Sequence, residues 1–234
     1  MKHASLVSAV VMVLATAPVA WCGGCQPPSM MIETFRGSGS TVLESLFRLG
    51  EENHVCLGIE LAGEEIARLG VKLHAEHEPA LEVVRRLLET TRHYQAVEQE
   101  GVIVIQDRRV HGFSLLDYRL HTFRVRQAPV QAVSNVLRMS LVRQLGPEVT
   151  GFAGSYRSGD VGDTVGPFAE VNRSIRDLLN LVVTGSRGGV WIARGGAITE
   201  GSLPEEPYWE ILQFSSPREE NLSRLRAVAS ELTQ

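Results

Sequence analysis

Three cysteines in 234 residues support neither a disulfide framework nor a zinc cluster. Aromatics are also scarce, at 6% of the chain. Their densest group is Tyr208-Trp209 in "PEEPYWEILQF", where aromatics beside proline suit an interface; these two residues are the candidate partner contacts. A basic excess is missing as well. Lys and Arg number 23 against 27 Asp and Glu, for a formal charge of −4. Basic residues spread along the chain without a stripe argue against a dedicated nucleic-acid binder. The pairs Arg85-Arg86 and Arg108-Arg109 read as solvated helix ends or turns.

Long apolar runs are absent except at the N-terminus, where Lys2 and His3 precede an apolar core from Leu6 to Trp21. Small residues and Pro27-Pro28 follow. This is the layout of a secretory signal peptide over 1–24, too short in its core for a stable span. The chain is expected to be exported, to the periplasm or the outer membrane of a Gram-negative bacterium. Cleavage after Cys22 or Gly24 satisfies the small-residue rule. Gly23-Gly24-Cys25 also resembles the end of a lipoprotein box, which makes Cys25 a candidate for lipidation. Membrane contact would then come only through that anchor. Cys22 and Cys25 have redox-pair spacing but lie at a processing junction. Cys56, in the strand-like "HVCLGIEL", is expected to be a buried, inert thiol.

Beyond the leader, strand-like and helix-like segments alternate. "MIETF" reads as a strand, and Val42, Leu43, Leu46, Phe47 and Leu49 mark a helix face. "HVCLGIEL" and "VKLHAEH" are strands joined by a polar link. Pro79 opens a helix with Leu81, Val84, Leu87 and Leu88 on its buried face. "YQAVEQEGVIVIQD" turns at Gly101. The order then returns. "LHTFRVRQ" is a strand, and a helix follows Pro129. "TGFAGSYRSGD" and "DTVGPFAEVN" pair across a Gly-rich turn, and "RSIRDLLNLVV" is a helix with Asn172 as a cap. "GGVWIARG" closes the pattern, with Trp191 in the core.

Matched positions suggest a degenerate duplication. Thr34-Phe35-Arg36 recurs as Thr122-Phe123-Arg124, a shift of 88 that also aligns Val42 with Val130 and Leu49 with Leu137. Val84, Leu87 and Leu88 meet Ile175, Leu178 and Leu179 at a shift of 91, and Gly101-Val102 meets Gly189-Val190 at 88. The expected fold is therefore α+β: two tandem βαββαβ-like units, 30–110 and 116–199, each a small sheet with two helices on one face. A strand–helix extension over 200–234 completes the chain, its helix opening at Pro217.

The residues from Ser40 to Asp107 resemble the short domain at the N-termini of secretins and TonB-dependent receptors. The likeness rests on "STVLESLFRLGEENHVCLGIEL", "VKLHAEHEPALEVVRRLLETT" with its paired Leu87-Leu88 and Thr90-Thr91, and "GVIVIQD". It covers under a third of the chain well and the second unit loosely, and no barrel or channel domain follows. It implies a periplasmic protein–protein docking module with no catalytic residue to carry over.

The chemistry-bearing patterns point the same way. "RGSGST" at Arg36–Thr41 has glycines and hydroxyls but lacks the lysine that neutralises phosphate in a P-loop. Thr41 with Glu44 instead fits a capping box, with Ser40 as an alternative cap. In "LHAEHEP", His74 and Glu76 share one strand face while His77 points to the other, so they do not converge on a metal. "GSYRSGD" is closer to a turn than to a nucleophile elbow. Glu98, Glu100, Asp160 and Asp163 fall at turns. No catalytic residue, metal ligand or cofactor is expected. The leading reading is docking or scaffolding of an envelope protein, such as a secretion channel or outer-membrane receptor, through a sheet edge or a helix–sheet groove. The alternatives are a small-ligand or glycan binder with a pocket between the units, and an envelope hydrolase built from converging His and acidic residues.

Overall fold

A computed structural model describes residues 24–61, 65–108, 115–145, 153–156, 164–186, 189–195 and 209–214. Together they make an α+β fold. The first half runs β1 (Met31–Thr41), α1 (Val42–Asn53), β2 (Leu57–Leu61), a short α2 (Glu65–Arg68), β3 (Gly70–Pro79), α3 (Ala80–Leu88), β4 (Tyr94–Gln99) and β5 (Val102–Asp107). A 3-10 turn at Leu115–Asp117 leads into the second half. There follow β6 (Arg119–Val125), β7 (Ala128–Pro129), α4 (Val130–Leu145), β8 (Ala153–Tyr156), β9 (Thr164–Val165), β10 (Phe168–Ser174), α5 (Ile175–Gly185), β11 (Val190–Gly195) and β12 (Trp209–Phe214).

Local chemistry sets the boundaries. "RGSGS" continues β1 rather than forming a loop, and Gly39, at φ +73°, marks the shift in register between Ser38 and Ser40. A left-handed residue at a bulge is glycine's ordinary use. The next residue but one, Thr41, caps α1: its Oγ1 accepts the Glu44 N–H at 3.2 Å. In the second half the cap is not Asn172, which lies within β10 at φ +53°. Ser174 caps α5 instead, in a reciprocal box with Asp177. Asn tolerates the left-handed region as well as it caps, so its type alone does not separate the two roles. Glu100 and Gly101 both have positive φ, as the two-residue turn of the β4–β5 hairpin requires.

Half of the twelve strands among the described residues collect into one six-stranded sheet in the order β4-β5-β2-β11-β12-β8, and the rest form two-stranded pairs. β2 is parallel to both β5 and β11, and all five of its residues are buried. A strand covered on both faces reads as a near-continuous apolar run, which is why "HVCLGIEL" does not alternate. On one face lie α1 and α3, roofed by the antiparallel pair β1–β3. Ile32, Phe35, Leu46, Val84 and Ile59 meet in that core with Val190 and Ile192. On the other face lie α4 and α5 with the pair β6–β10, and their core gathers Phe123, Val133, Leu178, Val104 and Trp191. In place of two separate small sheets, β2, β4 and β5 of the first half and β8, β11 and β12 of the second share one sheet with helices on both of its faces, while β1–β3 and β6–β10 stand apart as two-stranded pairs.

One pairing scheme runs through both halves. β5 pairs antiparallel with β4 and parallel with β2; β12 pairs antiparallel with β11 and parallel with β8. Several expectations change as a result. β8 and β10 do not pair with each other: β8 joins β12 and β10 joins β6. β12, read from sequence as part of an extension, is an interior strand of the sheet. By place in the scheme β11 answers to β4 and not to β5, although Val190 had aligned with Val102. In the helices, Pro79 and Ser174 precede α3 and α5, a shift of 95 rather than 91. Slipping a helix by one turn keeps its apolar face in place, so spacing alone does not detect the offset. The helix expected from Pro217 lies outside the described residues.

Candidate docking edge

β4 ends the sheet, with β5 as its one partner among the described residues. Beside it α3 and the turn that follows leave an open recess of about 350 Å³, lined by Arg85, Leu88, Glu89, Thr91, Arg108 and the strand residues Tyr94, Gln95 and Ala96. Successive side chains of a strand point to opposite faces. Three consecutive strand residues lining one recess therefore place it along the strand's edge rather than on either face. The floor is held firmly: Tyr94 and Leu88 are buried, and the Thr91 hydroxyl donates to the Leu88 carbonyl at 2.6 Å. Its charged rim is mixed, with Arg85 and Arg108 beside Glu89. Arg85 pairs with Glu82 at 2.6 Å. Arg108 Nη2 donates to the neutral carbonyl of Arg92 at 3.1 Å, which leaves its charge unmatched by that bond. Arg85-Arg86 and Arg108-Arg109 lie far apart in sequence, yet Arg85 and Arg108 face one recess.

A second charged group is buried. Arg176 of α5 reaches Glu60 of β2 at 2.7 Å and also pairs with Asp117 of the 3-10 turn. Glu60 and Arg176 are 7% and 9% exposed. Burial raises the Glu60 carboxyl above its ordinary range; the Arg176 hydrogen bond and charge oppose this, and Asp117 and Asp107 add to it. For Arg176, burial pulls downward and the two carboxylates more than offset it, holding the guanidinium charged. The arrangement ties α5 of the second half to β2 of the first. Two carboxylates from different elements hold its guanidinium, which makes it a clamp between the halves. Further links cross the same boundary: Gln99 donates to Asp177 at 2.7 Å, and Arg173 pairs with Glu100 at 2.5 Å.

The residues singled out from sequence fall as follows. His74 contacts Glu76 at 2.8 Å and His77, at φ +49°, contacts Glu33 at 3.2 Å; all four side chains are exposed on the β1–β3 pair. Among the described residues no three His, Cys, Asp or Glu gather for a metal. Glu98 is exposed on β4. Asp160, Asp163, Arg109 and Tyr208 lie outside the described residues. Trp209 opens β12, where its backbone pairs with Gly195 inside the sheet. Trp191 is fully buried. Cys56 is buried as expected, but it is not an isolated thiol: it is bonded to Cys25, itself 5% exposed. The bond was not legible because the leader reading placed Cys25 at a processing junction instead of in the core.

No family model, curated protein or solved structure matches this chain. Among the described residues no helix is long and apolar enough to cross a membrane.

Proposed function

We propose that this chain is an exported, non-catalytic docking module of the Gram-negative envelope, and that it takes up an extended, acidic segment of a partner protein along β4. The observation that carries this reading is that, among the described residues, no strand pairs with the outer side of β4, beside a recess rimmed by Arg85 and Arg108. An edge strand offers a row of backbone donors and acceptors that an extended peptide can complete, while flanking side chains select what binds. Arg108, whose hydrogen bond there goes to a neutral carbonyl, favours a carboxylate, while Arg85 shares its charge with Glu82. The resemblance of residues 40–107 to the secretin and TonB-receptor short domain supports an envelope setting, with a secretion channel or outer-membrane receptor as the class of partner. The recess sits at the end of the sheet and not at the junction of the halves, which favours a peptide over an enclosed small molecule or glycan.

The test is site-specific photo-cross-linking in intact cells from Gln95, exposed on β4, and from Glu52, exposed on α1. Gln95 is expected to capture one defined acidic segment of an envelope protein. The double charge reversal Arg85→Glu with Arg108→Glu should reduce that product at least tenfold while thermal unfolding is retained. Cross-links from Glu52 alone, or a Gln95 product indifferent to the reversal, overturn the proposal.

A further inference from the structure

The segment ahead of β1 is woven into the fold rather than hanging from it. Gly24 N–H donates to the Ser186 carbonyl at 3.1 Å, beyond the end of α5. Gln26 N–H donates to His54 at 2.7 Å, just after α1. In turn, Leu81 N–H donates to Pro28 at 3.0 Å and Ala80 N–H to Met30 at 2.9 Å, so that the first turn of α3 is satisfied by this strap. Between these bonds the Cys25 side chain enters the core around α5, where it is 5% exposed beside the fully buried Cys56. Their Cα atoms are 5.5 Å apart, inside the range a disulfide spans. Both sulfurs lie 3.3 Å from the Val183 carbonyl oxygen.

The sequence offers Cys25 another fate, as the acylated first residue of a lipoprotein. The two fates exclude each other, because a thioether to a diacylglycerol uses the same sulfur as the bond to Cys56. Packing separates them further. An acylated sulfur must lie at the bilayer surface, and drawing this one out would empty its place in the core and break the Gly24 and Gln26 bonds on either side of it. We propose that Cys25 is retained in the mature chain as half of a structural disulfide with Cys56 and is not acylated. Cleavage after Cys22 keeps the Gly24 bond, and cleavage after Gly24 gives that bond up but leaves both cysteines and the Gln26 bond in the chain. In forming the bond, the two thiols lose two protons and two electrons to a disulfide of a thiol–disulfide exchange protein, whose S–S bond is cleaved to two thiols as the new one closes. Such oxidation belongs to an exported chain. The proposal stands on packing and is independent of what β4 binds.

The experiment is peptide mass mapping of the full chain, expressed with its own leader and isolated from the envelope, with and without reductant. Expected are a mature N-terminus at Gly23 or Cys25 and a non-reduced peptide pair linking Cys25 to Cys56. Diacylglyceryl mass on Cys25, an N-terminus beyond Cys25, or both thiols open to alkylation in denaturant without reductant would each overturn it. Thermal unfolding gives a second readout. Reductant should lower the wild-type midpoint by about 10 °C, given the 31-residue separation. Cys56→Ser should show that lower midpoint already and not respond to reductant; a midpoint that reductant leaves unchanged in the wild type also overturns the proposal.

Discussion

Trp191 lies directly over Gly58: a Cβ built on Gly58 would fall 2.3 Å from the indole ring. The two residues are paired on adjacent strands, β2 of the first half and β11 of the second. The missing side chain makes room for the largest buried one, and the indole N–H then reaches Asn180 Oδ1 of α5 at 2.9 Å. This contact is the seam at which the halves become one sheet.

Gly58→Ala should therefore cost about 1–3 kcal/mol in urea unfolding, although alanine is benign in most strands. The indole has to shift, so its bond to Asn180 should weaken with it. A variant as stable as the wild type would remove the seam from this account.

Arg176→Met strands Glu60 in the core and is expected to cost about 3–5 kcal/mol near neutral pH. Glu60 carries a raised carboxyl pKa, so the folded chain holds its proton to higher pH than the unfolded chain does. The penalty should shrink as pH falls and Glu60 is protonated. Pairing it with Glu60→Leu should recover most of the loss, because the apolar pair leaves no buried charge. Stability measured across a pH series checks both statements.

Glu51 makes a separate, milder contribution. Burial, and then the neighbouring Glu52 charge, push its carboxyl up to about 7 from 4.5, against the pull of Arg48. Between those values the native chain keeps a proton that the unfolded chain has lost. Stability contributed by the protonated form is thus present below about pH 4.5 and is lost as pH rises through about 7. The side chain is half exposed, so solvent screening reduces the effect to about 1 kcal/mol. Glu51→Gln should stabilise by that amount at pH 8 and by almost nothing at pH 4, as read from denaturant midpoints.

The cap of α5 offers a local test. Ser174→Ala removes an acceptor for the Asp177 N–H and should cost about 1 kcal/mol. Asn172→Gly should be nearly neutral, since its φ of +53° is one that glycine adopts freely. If the larger loss came from Asn172, the helix would start two residues earlier than it does here.

Most of the elements were legible because their signals are local. The alternation in "VKLHAEH", the fourfold spacing of Leu43, Phe47 and Val42, Leu46, and the proline before α3 act within one turn or one pleat. The β8–β10 pairing failed because two strand-like runs joined by glycines are compatible with a hairpin, yet nothing in either run forbids a different partner. β12 was misplaced for a related reason: a long connection separates it from β11, and hairpin signals are strongest when the loop is short. The candidate docking edge was half visible. Arg85 and Arg108 could be seen as isolated charges, but nothing along the chain brings them to one recess.

The amino-acid sequence by itself determined the helices, the strands, which side of each is apolar, and hence the α+β class. Only the tertiary structure decided that β2 meets β11, that Arg176 finds Glu60, that Cys25 finds Cys56 and that β4 is outermost among the described strands. Apolar periodicity is written residue by residue, whereas every strand presents the same backbone donors and acceptors. The choice among edges is therefore made by side chains distant in sequence, such as a glycine that makes room for an indole.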